Sequence, residues 1–321
     1  MTFKLLLSTA ALAAAMVGAA PALARDALTI SVYNPGEKGV FAVSSEIVSG
    51  PHEVMLVDAQ FSTADAKALV EQIKATGKTL KTVYISHSDP DYYFGLETIR
   101  AAFPAAKIVA TPQTVAAIKA SKDGKLAFWG PILKENAPKS VILPEAFEGD
   151  TLTVDGQKLK IVGLDGPTPE RTFLWVPSNK AVIGGIPVVA NEHVWIADTQ
   201  TPKSRVNWKK TLDAIVALKP GMVVPGHYSL NPDGSKPFTV ASVKFTRDYL
   251  DAFEKEAAKA KDSTALIAAM KQRYPKLAGA ESLTTSAKVI KGEMKWPAEE
   301  PAAPYPAIGK KVEVNFGGSI F

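Results

Sequence analysis

His87, Asp89 and Asp91 stand at alternate positions in the stretch Tyr84-Ile-Ser-His-Ser-Asp-Pro-Asp-Tyr-Tyr-Phe-Gly95. One imidazole and two carboxylates this close can share a cation, or take a proton from a bound water and return it. Either group at the end of a buried strand is costly unless it is paired or metal-bound. The plainer reading is a strand-end turn with solvated carboxylates, and spacing alone does not choose between them. Elsewhere, His227 closes the run Val223-Val-Pro-Gly-His227, and His193 lies in Asn191-Glu192-His193-Val194-Trp195. A loop histidine such as His193 more often makes a backbone hydrogen bond than binds substrate. His52 follows Gly50-Pro51 and reads as a surface turn residue. Asp198, before Thr199-Gln-Thr-Pro202, reads as a cap. Tyr92, Tyr93, Phe94, Trp129 and Trp195 could line an apolar cleft, although each taken singly is more often core. The chain has no cysteine, which removes thiolate ligands, a cysteine nucleophile and disulfides. It has no Gly-x-Ser-x-Gly elbow and no P-loop, so serine hydrolase and nucleotide readings have no support.

The elements that must position these groups follow from periodicity. Lys81–Ser86, rich in β-branched residues, reads as a buried strand delivering His87, and Pro90 and Gly95 mark an irregular loop after it. Strands are expected at 28–33, 41–48, 53–58 and 107–110. Ala66, Leu69, Val70 and Ile73 make one face of a helix over 62–76, with Ser62 or Thr63 at its start and Gly77 at its end. Helices are expected at 96–103 and 112–121, the second begun by Pro112. Trp129-Gly130-Pro131 reads as a turn. Beyond it come strands at 141–143, 152–154, 159–162, 172–176, 181–183 and 222–224, with Asp155-Gly156 a hairpin signal. Helices are expected at 208–218, 238–261 and 263–274. This alternation argues for an α/β layered fold, two sheets covered by helices.

Met1–Lys4, the apolar run through Ala20 and the small-x-small site Ala22-Leu23-Ala24 make the three-part pattern of a secretory signal peptide. The run is short for a membrane span. Residues 1–24 are therefore expected to be removed, leaving a periplasmic or secreted chain with no stable membrane anchor. The full chain of 321 residues carries a formal charge of +5, a mild excess without a dense basic run interleaved with aromatics, so nucleic acid is not indicated as a partner. A chain of this size can hold itself by its core alone. Expected boundaries are a main domain over 25–235, a helical appendage over 236–296, and a segment over 297–321 that is proline-rich and ends in an edge strand at Lys311–Phe316.

The residues around His87 resemble the metallo-β-lactamase fold superfamily, whose signature after a strand is His-x-His-x-Asp-His; here it reads His87-Ser88-Asp89-Pro90-Asp91-Tyr92. Four further places carry the likeness across roughly 28–229. Leu56-Val57-Asp58 is similar to the early strand ending in aspartate. Gly163-Leu-Asp165-Gly-Pro167 stands where a Gly-His-Thr-x-Gly turn usually carries a histidine. Ala181–Gly185 stands where a bridging aspartate usually ends the strand. Val223–His227 matches the closing Pro-Gly-His.

The resemblance implies a four-layer αββα sandwich with extra C-terminal helices. It implies a metal held by some subset of His87, Asp89, Asp91, Asp165 and His227, with Tyr92 at a further ligand position. Gly185 offers no bridge, so one divalent ion is expected rather than two: zinc by resemblance, manganese or iron given the added oxygen donors, or none. It implies a metal-dependent hydrolase acting on a small ester, lactone, amide or thioester through a metal-activated water. Asp91 would serve as the catalytic base, and Tyr92, Tyr93, His193 and Trp195 would line the substrate cleft. The lost histidines motivate a reading from another class, a non-catalytic protein that binds a small ligand on the same fold.

Overall fold

β1 (Thr29–Tyr33), β2 (Ser45–Ser49) and β3 (Glu53–Val57) pair antiparallel, and β4 (Thr79–Ile85), β5 (Lys107–Ala110) and β6 (Glu145–Ala146) add on in parallel, so the first sheet runs in chain order. The computed structural model describes residues 27–296; the expected signal peptide and the expected Pro-rich segment and terminal strand lie outside the described residues. The second sheet has the order β12 (Met222–Val223), β10 (Ala181–Ile183), β9 (Phe173–Val176), β8 (Gln157–Val162), β7 (Thr151–Val154), antiparallel apart from the β10–β12 pair. Asp155 and Gly156, both at positive φ, make the tight turn between β7 and β8, as a two-residue hairpin requires. A short parallel pair, β11 (Val189–Ala190) with β13 (His227–Tyr228), stands at the mouth of the sandwich.

Helices cover both outer faces. On the first sheet lie α1 (Thr63–Ala75), the single turn α2 (Pro90–Tyr93), α3 (Leu96–Ala102) and α4 (Pro112–Leu133). Ser62 caps α1 by accepting the Asp65 N–H, and the expected face of Ala66, Leu69, Val70 and Ile73 is the buried one. On the second sheet lie α5 (Pro202–Ala217), α6 (Val240–Lys259), α7 (Ser263–Arg273) and α8 (Ala280–Ile290). Three cores separate the four layers. Leu56, Val83 and Ile85 pack on Leu69 and Ile99 of the first helices. Met55, Val57 and Tyr84 meet Leu159, Leu174 and Ile183 between the sheets. Phe173 and Val182 pack under Trp208, Leu212, Tyr249, Leu250 and Leu283.

Some expectations give way to this packing. The turn expected at Trp129-Gly130-Pro131 is helical, and α4 continues past the expected end at 121 to Leu133. Pro131 falls in the last turn, where its missing N–H forfeits one bond, to the Ala127 carbonyl, just before the helix ends, and Trp129 packs edge-on to Phe41 and Phe61 at 5.3 and 5.4 Å, offsetting that loss and the weak propensity of Gly124 and Gly130. The strand expected at 141–143 is irregular. The pattern reading contains no helix over α8, whose Thr- and Ser-rich sequence forms a helix by burying Leu283, Ala287 and Val289. Helices α6 to α8 share one core with β9 to β11 and α5, so they are part of the fourth layer.

Candidate functional site

The loop after β4 is held to the second sheet by Asp58. Its carboxylate accepts the Ser86 N–H at 2.8 Å and the Ser86 hydroxyl at 2.7 Å, and Ser86 Oγ in turn accepts the Gly185 N–H at 2.8 Å. Asp58 takes a positive φ of 62°, which aspartate tolerates, and is fully buried. Burial pushes its carboxyl up to about 7, against the pull of the Ser86 hydrogen bonds. Glu46, buried on β2, is raised well above the usual carboxylate range by burial and then by the Asp58 charge.

His87 follows, fully buried. Its Nδ1 accepts the Asp89 N–H at 3.1 Å and lies 3.4 Å from Asp89 Oδ2. The other Asp89 oxygen meets the ammonium of Lys125 at 2.9 Å, and Lys125 also donates to the Ser88 carbonyl at 2.8 Å. Burial works against the Asp89 charge, yet Lys125 and His87 outweigh it and hold the carboxyl well below its ordinary range. Lys125 projects from α4, the helix that runs beyond its expected end.

Pro90 opens α2 and places Asp91 in its first turn. Asp91 Oδ2 lies 3.0 Å from His227 Nε2. His227 is fastened from two sides, pairing with Val189 in β11 and bridging to Val43. Ser44 N–H donates to the Gly226 carbonyl at 2.8 Å, so the Pro-Gly-His turn is tied to the segment before β2. Burial alone would lower the imidazole pKa, but the hydrogen bond and charge of Asp91, with Glu192 and Asp89 behind it, raise it.

The remaining expected positions do not join this group. Asp165 is exposed in the turn after β8 and does not line the site. Tyr92 and Tyr93 are fully buried in the first core and do not line the cavity, because the single turn of α2 aims both rings inward. The Tyr92 ring stands edge-on to His87 and His227, with centroids 5.7 and 5.9 Å away. Burial, then the charges of Asp91, Asp58, Asp89 and Glu46, raise its hydroxyl pKa, so it stays protonated and is a poor metal ligand. Gly185 has φ 86°, and a Cβ there would lie 2.4 Å from the Thr172 carbonyl oxygen, so this backbone has no room for a bridging side chain.

A divalent cation therefore does not fit the donors at hand. The His87 Nδ1 is taken up by Asp89, meeting its N–H at 3.1 Å and its carboxylate at 3.4 Å. Asp89 is taken up by Lys125, and Asp91 by His227. Among the described residues no three His, Asp or Glu side chains converge as a cage. The ion expected at His87, Asp89, Asp91, Asp165 and His227 finds its donors paired with protein groups or turned to solvent.

Beside this cluster opens a cavity of about 1230 Å³, whose wall includes Asp89, Asp91, Lys125 and His227. His193 and Trp195 line it as expected from the sequence. Burial, and then Lys271, lower the His193 pKa to about 4, so the ring is neutral; its Nδ1 lies 2.9 Å from the Tyr249 hydroxyl. Sequence reasoning missed Lys125, Phe41, Phe128 and Trp296. Two lie on helix α4 past the point where its apolar periodicity stops being readable, and none has a local motif.

Two sheets between helical layers, an aspartate ending an early strand, a polar loop after β4 and a closing Pro-Gly-His define the metallo-β-lactamase class of fold. Residues 39–227 match the family model described as Metallo-beta-lactamase superfamily, and the chain belongs to that superfamily. No curated protein matches the chain. Among solved structures it is similar to DIM-1 metallo-beta-lactamase, with 20% identity over 71% of this chain and 98% of that one and a TM-score of 0.48. It is also similar to a metallo-beta-lactamase from Pontibacter korlensis, with 18% identity over 70% and 93% and a TM-score of 0.47. Members of this superfamily are mostly metal-dependent hydrolases and typically bind zinc, which sets the departures of this site in relief.

Proposed function

We propose that the protein binds a small organic ligand in the cavity beside His227, without the metal-activated water of its superfamily. The observation that carries this reading is Lys125, whose ammonium stands on Asp89 where the resemblance places a metal ligand. A lysine there supplies the positive charge a cation would otherwise bring, and it repels a cation that approaches. The size of the cavity suits a ligand larger than a few atoms. The test is metal analysis of untagged protein, with ligand affinity measured before and after a chelator. We expect less than about a tenth of an equivalent of zinc, manganese or iron and an unchanged affinity. A full equivalent that survives dialysis, or affinity lost to the chelator, would overturn the reading.

A second reading is hydrolysis of a small ester, lactone, amide or thioester. The Asp91–His227 pair favours it, since a carboxylate-held imidazole beside a cavity can take a proton from water. Turnover that Asp91→Ala and His227→Ala each abolish, in protein free of metal, would put this reading ahead. We further propose export to the periplasm or beyond, from the leader pattern of residues 1–24. Intact mass of secreted material should place the mature N-terminus at Arg25; a product starting at Met1 would refute export with cleavage.

A further inference from the structure

The aromatic wall of the cavity closes on itself. Phe41 meets Trp129 at 5.3 Å between ring centroids, Trp129 meets Phe128 at 4.9 Å, Phe128 meets Trp296 at 5.7 Å, Trp296 meets Trp195 at 5.3 Å, and Trp195 returns to Phe41 at 6.4 Å. Every pair is edge-to-face, with interplanar angles of 71° to 89°, and all five rings line the cavity. The five come from four regions far apart in the chain, and Phe41 also sits 6.2 Å from His227, which joins the collar to the polar cluster.

One carboxylate sets the two indoles. Asp198 accepts the Trp195 N–H at 2.5 Å and the Trp296 N–H at 2.7 Å. An indole that donates to an anion gains electron density over its ring, which deepens the negative potential of its face. The cavity as a whole has the same sign. Its wall carries six carboxylates, Glu37, Asp89, Asp91, Glu170, Glu192 and Asp198, against the two lysines Lys125 and Lys295 and the imidazole of His227, on a chain whose formal charge is +5. A negative cavity on a positive chain is not a consequence of composition. An aromatic enclosure of this sign suits a bulky cation with an apolar body and disfavours an anion.

We infer that the collar binds an organic cation, a quaternary ammonium or bulky amine attached to an apolar group, with the ammonium against Trp195 and Trp296 and the apolar body along Phe41 and Trp129. The inference rests on the reading of this cavity as a small-molecule site, and it names the ligand class. Asp198 acts through the indoles as a positioning residue.

The test is tryptophan fluorescence and calorimetry on the full chain, titrated with two matched pairs. Hexyltrimethylammonium and hexanesulfonate share a tail and differ in the sign of the head; choline and 3,3-dimethylbutan-1-ol share a shape and differ in charge. We expect the cation of each pair to bind about tenfold more tightly than its partner. Trp296→Leu should weaken hexyltrimethylammonium about fivefold or more, with a smaller effect on hexan-1-ol. Asp198→Asn should do the same to a lesser degree, since it removes the charge but keeps an acceptor. Should either variant fail to fold, the two matched pairs on the unaltered protein still decide the matter. Equal binding of cation and partner, or preference for the sulfonate, would overturn the inference and leave the small-molecule reading standing. Absence of binding by all five probes would overturn both.

Discussion

At the scale of single residues the site is a set of compensated charges. Asp89 is held by Lys125 and Asp91 by His227, so two of the three carboxylates that the resemblance assigns to a metal already have partners, and the third, Asp165, faces solvent. Lys125→Met should leave Asp89 without its nearest cation and destabilise the fold by about 1.5–3 kcal/mol at neutral pH, less than for a fully buried pair because both side chains touch solvent. Thermal melts check this, and an unchanged midpoint would mean the pair contributes nothing. Asp58 behaves in the opposite sense. Its folded pKa, raised to about 7, lies above the ordinary carboxyl value, so the folded state holds the proton more tightly than the unfolded chain. Its contribution is fully present below about pH 4 and is lost as pH rises through about 7. Asp58→Asn keeps an acceptor for the Ser86 N–H and removes the titration. The stability of the variant relative to the parent should therefore improve steadily from pH 4 to 8 in urea titrations; a difference independent of pH would rule out a raised Asp58.

At the scale of elements, the turn after β10 decides what the site can hold. Gly184 and Gly185 both have positive φ, and the Gly185 N–H is used on Ser86. Gly185→Asp supplies the carboxylate that relatives of this fold are expected to use as a bridge, but on a backbone that rejects any Cβ. Strain of this kind costs about 1–3 kcal/mol before the clash with Thr172 is counted. We expect the variant to melt lower and to gain no zinc in a titration followed by calorimetry; an added equivalent of zinc at undiminished stability would show that the turn can rearrange. Helix α8 tests the opposite wall. Leu283 is fully buried in the core it shares with Phe173 and Trp208, so Leu283→Ala should cost about 2–5 kcal/mol, a value typical of a core position. A loss under 1 kcal/mol would mean that the helix lies loosely on the domain.

At the scale of the whole molecule, the C-terminal helices complete the layer that the second sheet needs. Glu192 bridges to Ala278, His193 N–H donates to the Ala278 carbonyl at 2.8 Å, and Ile196 N–H donates to Ser286 Oγ at 2.8 Å. The loop that carries His193 and Trp195 is thus positioned by the chain beyond α7. A protein ending before Val240 would expose Val189, Trp208 and Leu212 and should not yield a soluble folded domain. Expression of 25–239 with a circular dichroism melt checks this: a cooperative transition would make the rest of the sandwich separable from α6 to α8.

Much of this architecture is legible in the residues themselves. Alternation placed β1, β3, β4 and β7 to β10, Asp155-Gly156 announced its hairpin, and the 3.6-residue spacing of Ala66, Leu69, Val70 and Ile73 marked the buried face of α1, because each of these signals refers a side chain to its own backbone. Asp91 and His227 were legible as well, since each sits in a short motif ending a strand or opening a turn. Tertiary structure alone decided the rest. Nothing within α4 indicates that Lys125 stands on Asp89, and nothing local joins Phe41, Trp129, Phe128, Trp296 and Trp195 into one collar, because those contacts cross layers and depend on how far helices run and how they dock. Tyr92 and Tyr93 turned into the core and Asp165 turned to solvent for the same reason: type and spacing name the groups able to do chemistry, while packing decides which of them share a space.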